Sequence, residues 1–185
     1  KINVDIIHHH KSPDIKNTIR TIAISNENYK FLNNNIKNFY KLGWPTSTIK
    51  IFSERNRSSE LFEFKNKNQN NFYLLKLIDF NNLLKKNKLL KFTKLKKCNL
   101  ENINKRNYNL IINSELNNPI TKKFFQKKIE KNYESLAHTA IINHNKIENK
   151  VAIQIFTNKG PIAFLPLSYN QTSVVFSNNS KKKID

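Results

Sequence analysis

His8, His9 and His10 are the first side chains whose type suggests chemistry, because neutral histidine is a common metal ligand. Their spacing argues otherwise. Adjacent residues of an extended chain point to opposite faces, so three in a row do not converge on one ion. No Asp, Glu or His elsewhere supplies an obvious completing set, and we read them as a polar strand end with no metal site. Ser135, Cys98, His138 and His144 are the other candidates for covalent or acid–base work, and none is spaced as a nucleophile beside its base. No catalytic residue is assigned. The only glycines are Gly43 and Gly160, so the chain holds neither a G-x-G-x-x-G turn nor a Walker loop.

Charge is the next candidate signal. Lys plus Arg number 33 against 13 acidic residues, a net charge of +20, which by itself suggests an RNA or anionic-membrane partner. However, only 4 of the 33 are Arg, the side chain favoured for bidentate phosphate and base recognition. Lys, Asn and Ile dominate while Gly, Ala, Pro and Arg are scarce, as A/T-biased codon usage would produce. The stretch Lys85–Lys97, which interleaves lysines with Leu89, Leu90, Phe92 and Leu95, reads accordingly as a helix end followed by a strand with a solvated basic face. Nucleic acid is disfavoured as a partner.

The elements that must position any site read as mixed α and β. Residues 2–7 form a short strand apolar enough for a parallel sheet. Thr21–Ser25 leads through an N-cap at Ser25 into a helix carrying Tyr29, Leu32, Ile36 and Phe39, which stops near Gly43, Trp44 and Pro45. Thr48–Ser53 and Glu60–Phe64 make a hairpin across a charged turn. Phe72–Ile78 is a strand, with Asp79 capping a helix through Phe80, Leu83 and Leu84. Leu89–Leu95 and Tyr108–Ile112 read as strands, and Pro119 opens a helix containing Phe124, Phe125 and Ile129. Four strands then follow as an antiparallel meander: Leu136–Asn143, Lys150–Thr157, Pro161–Leu167 and Thr172–Ser177.

The chain has no Met, no leader pattern and no apolar run near the ~20 residues that span a bilayer. The missing Met leads us to expect a fragment. A single Cys98 excludes an internal disulfide framework and fits a reducing compartment, and we expect a cytoplasmic location.

Two segments carry a family resemblance. Arg20-Thr-Ile-Ala-Ile-Ser25 precedes the Tyr29–Tyr40 helix, and Gln154-Ile-Phe-Thr-Asn-Lys-Gly160-Pro-Ile-Ala-Phe-Leu-Pro166-Leu runs on to Ser173-Val-Val-Phe-Ser177. In that order they resemble the FAD-dependent aromatic hydroxylases of ubiquinone biosynthesis, the 2-octaprenyl-6-methoxyphenol hydroxylase type. The resemblance covers nearly the whole chain but only the middle half of such an enzyme.

It implies an α/β (α+β mixed) fold, with an incomplete FAD-binding Rossmann-like lobe interleaved with a mostly antiparallel, p-hydroxybenzoate-hydroxylase-like substrate sheet. The lobe would comprise 1–45 and 77–132, the substrate-domain strands 46–76 and 133–177, and the tail 178–185. The glycine-rich phosphate loop would lie upstream and a Gly-Asp flavin element downstream. Arg20 matches the arginine that contacts the flavin near its phosphates, a task suited to a permanently charged bidentate donor. His8 stands where the fold usually has an acidic ribose contact. Asn113-Ser-Glu115-Leu116 stands where the family has Ala-Asp-Gly, Leu116 replacing the glycine. Ile162, Phe164 and Leu165 would form an apolar substrate wall entered at Gly160-Pro161.

The implied activity is NAD(P)H- and O2-dependent hydroxylation of a polyprenyl-phenol ring, with the cofactor carrying the hard chemistry. The chain alone would be inactive. A ubiquinone-biosynthesis assembly and peripheral contact with the inner face of the membrane are the implied partners. The alternatives are a non-catalytic scaffold descended from the same family and a basic RNA-binding module.

Overall fold

The computed structural model describes residues 4–7, 19–56, 59–86, 93–96, 108–114, 118–124, 129–131 and 133–178. In chain order they form β1 (Val4–Ile7), β2 (Thr21–Ser25), α1 (Asn26–Asn35), β3 (Trp44–Thr46), β4 (Thr48–Ser53), β5 (Glu60–Lys65), β6 (Phe72–Lys76), α2 (Leu77–Lys86), β7 (Thr93–Lys96), α3 (Pro119–Phe124), β8 (Leu136–Asn143), β9 (Val151–Thr157), β10 (Gly160–Ser168) and β11 (Gln171–Asn178). The architecture is mixed α+β, with both antiparallel and mixed sheets. The chain divides into two compact units, Lys1–Asp14 with Lys88–Asn132, and Ile15–Asn87 with Tyr133–Asp185.

In the first unit β1 and β7 pair in parallel, Val4 opposite Thr93 and Ile7 opposite Lys96. Residues 108–112, expected as a strand, form none. Side chains hold this segment in place of a ladder: Tyr108 Oη donates to Asp5 Oδ2 at 3.0 Å, and Asn113 Nδ2 donates to Thr121 Oγ1 at 2.7 Å. Helix α3 opens as its sequence dictates. Buried Asn118 accepts from Thr121 N at 2.8 Å through Oδ1, which leaves Pro119 at the first helical position, where a missing N–H costs nothing. Ile129, expected in this helix, lies outside it and is fully exposed. Phe125 and the first half of Leu89–Leu95 lie outside the described residues.

In the second unit, β2, β6 and β3 form a small antiparallel sheet in the order β2-β6-β3. Ser25 caps α1, its hydroxyl accepting from Asn28 N at 3.3 Å. The helix ends at Asn35, earlier than expected. Asn33, Asn34 and Asn35 are weak helix formers, Ile36 is already extended, and Asn38 takes the left-handed conformation (φ 67°) that asparagine tolerates. A 3-10 turn at Phe39–Lys41 then carries Phe39 inward. Helix α2 starts at Leu77, so Asp79 lies in its first turn and is not its cap. Strand β6 runs straight into the helix, and Leu77 N donates to Arg20 O at 3.0 Å, which satisfies an otherwise orphaned donor. Both helices cover one face of this sheet through Ile24, Ile36, Phe39 and Leu75, with Tyr29, Leu32, Phe80 and Leu83 packed around them. Each such side chain contributes roughly 1.5–3 kcal/mol on full burial.

The larger sheet has six strands in the order β5-β4-β9-β10-β11-β8. The β4–β5 hairpin forms as expected, with a bulge between Ile51 and Phe52. The four C-terminal strands do not form a simple meander. β9, β10 and β11 are successive antiparallel neighbours, but β8 crosses over to pair with β11, giving a Greek-key order, and β9 pairs in parallel with β4. The crossover at residues 144–150 is fastened to the β10–β11 turn. His144 N donates to Asn170 O and Ile147 N to Tyr169 O, both at 3.0 Å. Buried Asn149 donates through Nδ2 to Ser168 O (2.8 Å), Gln171 O (2.9 Å) and Thr172 Oγ1 (3.1 Å).

Candidate functional site

Strand register sorts the large sheet into two chemically different faces, because directly paired residues share a face and neighbours along a strand alternate. Phe52, Ile155, Ile162, Phe176 and His138 are paired in one row, and Lys50, Ile153, Phe164, Val174 and Ala140 in the next. This outer face also carries Glu60 and Glu63, both bonded to Lys50 Nζ (2.8 and 3.5 Å); the Glu60 hydrogen bond leads in raising the lysine pKa. The opposite, inner face has the row Phe62, Ile51, Gln154, Ala163, Val175 and Thr139. Ile49, Phe64, Ala152, Leu165, Ser173 and Ile141 lie one repeat along it, and Ser53, Phe156, Pro161, Ser177 and Ala137 on the other side. None of these inner-face residues is ionisable, in a chain where 25% of residues are charged.

The small sheet covers one end of the inner face. Thr21 Oγ1 and Ser173 Oγ are 3.0 Å apart, and Lys76 Nζ donates to Gln171 Oε1 at 2.9 Å. Trp44 Nε1 donates to Asn149 O at 2.5 Å and its ring meets Tyr169 edge-on at 4.7 Å. Ser173, Ala152 and Leu74 are buried there. Further along, Ile51, Gln154, Ala163 and Val175 are only half-buried, and Phe62 and Phe156 are exposed.

Arg20, the expected cofactor contact, is exposed and immediately precedes β2, the strand that meets the inner face through Thr21. The sheet wall expected of Ile162, Phe164 and Leu165 divides between faces. Ile162 and Phe164 lie on the outer face, and Leu165, opposite Ser173, lies on the inner face with Arg20's strand. His138 is on the outer face, where it pairs with Phe176. His144 is engaged in the crossover, Nδ1 with Asn145 O at 2.8 Å and Nε2 with Thr172 Oγ1 at 3.0 Å. His8, His9, His10, Cys98, Glu115 and Leu116 lie outside the described residues. Asn113, the first residue of the Ala-Asp-Gly-like element, is held by Asn118 and Thr121.

Neither glycine can form a phosphate cradle, since another group already fills the space its missing side chain leaves. A Cβ on Gly43 would meet the Tyr29 ring, and one on Gly160 would meet the Ser177 carbonyl. For a flavin, the two glycines therefore supply no glycine-lined pyrophosphate pocket.

The fold is similar to that of P. aeruginosa PqsL. A structure of PqsL in complex with 2-aminobenzoylacetate matches with a TM-score of 0.68 at 9% identity, covering 95% of this chain and 54% of PqsL. A quadruply substituted PqsL gives 0.67 over the same shares. The chain thus spans about half the length of PqsL, and the likeness is one of fold. No family model and no curated protein sequence matches the chain.

The uncharged inner face is the feature that the sequence left hidden. Which residues share it follows only from strand pairing, Gln154 with Ile51 on one side and with Ala163 on the other.

Proposed function

We propose that the chain is the central part of an FAD-dependent aromatic hydroxylase of ubiquinone biosynthesis, in which the uncharged inner face of the large sheet walls the substrate. One observation carries this reading. Strand β2, which Arg20 immediately precedes, and the half-exposed part of that face lie on the same side of the sheet, in a fold similar to that of PqsL, which has been captured with 2-aminobenzoylacetate. The resemblance of the Arg20–Ser25 and Gln154–Leu167 segments to these hydroxylases points the same way. In this reading the p-hydroxybenzoate-hydroxylase-like sheet is the substrate domain and residues 1–45 with 77–132 belong to a Rossmann-like lobe.

FAD, reduced by NAD(P)H, would supply the oxygen chemistry when bound. Arg20 would hold a flavin phosphate by charge-assisted hydrogen bonds at the strand end. The apolar row around Ile51, Ala163 and Val175 would hold the ring and keep water from it. An assembly of ubiquinone-biosynthesis proteins and peripheral membrane contact belong to the same proposal, as a polyprenyl tail requires an apolar route. Among the described residues no helix is long and apolar enough to cross a membrane.

The test is flavin absorbance of the protein purified from its complete reading frame, with FAD affinity measured for the parent and Arg20→Gln. The expected outcome is a bound flavin whose affinity falls about tenfold or more in the variant, the loss of a charge-assisted phosphate contact. A folded protein that takes up no flavin would favour the non-catalytic scaffold. Binding to RNA that weakens steeply with salt would favour the basic module.

A further inference from the structure

We propose that β8 is the contact through which two copies of this chain join, antiparallel and about a two-fold axis, into one continuous sheet. Strand β8 is one edge of the large sheet, and seven of its eight residues are exposed. His144 N donates to Asn170 O in the β8–β11 register, so the even-numbered residues of β8 turn their backbone groups toward β11. The N–H and C=O groups of Ala137, Thr139 and Ile141 therefore point outward, and no hydrogen bond engages them among the described residues. Native folds blunt such an edge with charge, proline or a bulge. The opposite edge, β5, is blunted in this way: Glu60, Glu63 and Lys65 make up half of its six residues, and a bulge interrupts its ladder. β8 has no charged residue, no proline and an unbroken register.

Charge and side-chain size together select a second copy as the occupant. At a net charge of +20, two chains repel wherever their lysines meet. Strands β8, β9, β10 and β11 carry no charged residue, so joining them edge to edge sets no cation of one strand against another. Centred on Thr139, the antiparallel register is self-complementary. Thr139 meets Thr139 of the second copy, His138 meets Ala140, Ala137 meets Ile141 and Leu136 meets Ile142. His138 and Ile141 thus each face an alanine, and Leu136 and Ile142, both 44% exposed, cover one another on the outer face. Paired positions have the same parity, which keeps inner face beside inner face. Ala137, Thr139 and Ile141 then form six backbone hydrogen bonds, three donated by each copy. The pairing consumes the open edge of both copies and leaves only the two β5 edges, so assembly closes at a dimer. Seven residues a side fall short of the roughly 20–30 of a standard interface, which sets a dissociating dimer with a Kd on the order of 10 μM.

The experiment is sedimentation velocity on the protein purified from its complete reading frame, from about 1 to 200 μM, a range that brackets this Kd. The parent is expected to pass from monomer to dimer. Thr139→Lys, which sets two lysines opposite each other, is expected to weaken the dimer by about tenfold or more, and Leu61→Lys on the β5 edge to leave it unchanged. The register is checked with a short bis-maleimide on Cys98→Ser proteins that also carry Thr139→Cys or Asn143→Cys, with folding of every variant recorded by circular dichroism. In the proposed pairing the two copies of residue 139 have Cα atoms about 5.5 Å apart and those of residue 143 about 27 Å, so only the first pair cross-links. A folded parent that stays monomeric throughout, a dimer untouched by Thr139→Lys or lost equally with Leu61→Lys, or equal cross-linking at 139 and 143 would each overturn the proposal. Should Thr139→Lys fail to fold, the two cysteine variants decide. Dimerisation through β8 by a protein that holds no flavin would uphold the contact, which does not rest on the hydroxylase reading.

Discussion

Thr21 and Ser173, 152 positions apart, join the two sheets of the second unit through hydroxyls 3.0 Å from each other. Ser173 is almost fully buried, so its oxygen has little access to water if the partner is removed. Thr21→Val and Ser173→Ala should each lower stability by about 1 kcal/mol. The double variant should lose less than the sum, leaving a coupling of about 0.5–1.5 kcal/mol in a urea-unfolding cycle. Additive losses would mean that the hydroxyls do not interact in solution.

Asn149 fastens the Greek-key crossover by donating to two backbone carbonyls and the Thr172 hydroxyl. Asn149→Ala should cost about 2–3 kcal/mol, because it leaves buried acceptors unpaired. Asn149→Asp should be worse at neutral pH than in acid, since an ionised carboxylate would face those same carbonyl oxygens. Thermal unfolding at pH 5 and pH 8 checks the sign.

How far the sequence foretold these links differs by element. The β4–β5 hairpin was legible because its alternation and charged turn are local, and Ser25 and Pro119 carry capping chemistry within a few residues. The placement of β8 beside β11 was not. A strand such as Leu136–Asn143 has the same alternation whichever neighbour it joins, and the choice is made by the Asn149 contacts and the turn at Tyr169 and Asn170. The same limit hid the uncharged inner face. Ile51, Ala163 and Val175 had to be paired before one face could be seen to lack charge.

Gly160 has φ of +133°, and a Cβ there would lie 1.9 Å from the Ser177 carbonyl oxygen, a backbone atom that cannot swing aside. Gly160→Ala should therefore destabilise by about 2–4 kcal/mol. Gly43→Ala should cost less, because the obstacle is a side chain and not backbone, the Tyr29 ring, whose displacement loosens its stacking on Tyr73. Equal losses in chemical denaturation would show that the hairpin entry relaxes more readily than its geometry implies.

Thr46 is fully buried on β3, and its hydroxyl has no hydrogen-bond partner among the described residues. Thr46→Val keeps the shape and removes the unpaired group, so stability should rise by about 1 kcal/mol. A loss of similar size would instead reveal a buried water satisfying the hydroxyl.

Tyr29 stacks on Tyr73 with ring centroids 3.6 Å apart and donates its hydroxyl to Tyr40 O at 3.1 Å. Burial first, and the neighbouring Tyr73 second, raise its phenol pKa above the ordinary value of 10.0. The folded protein thus holds this proton more tightly than the unfolded chain does. The resulting stability is fully present below the unfolded value and is lost as pH rises through the folded one. Unfolding free energy should therefore fall on the alkaline side of pH 10, and Tyr29→Phe should flatten that slope while weakening the fold at neutral pH by about 1 kcal/mol through the lost hydrogen bond. Absorbance titration of tyrosinate alongside urea unfolding measures both. A variant with the parent's alkaline slope would assign the effect to a different tyrosine.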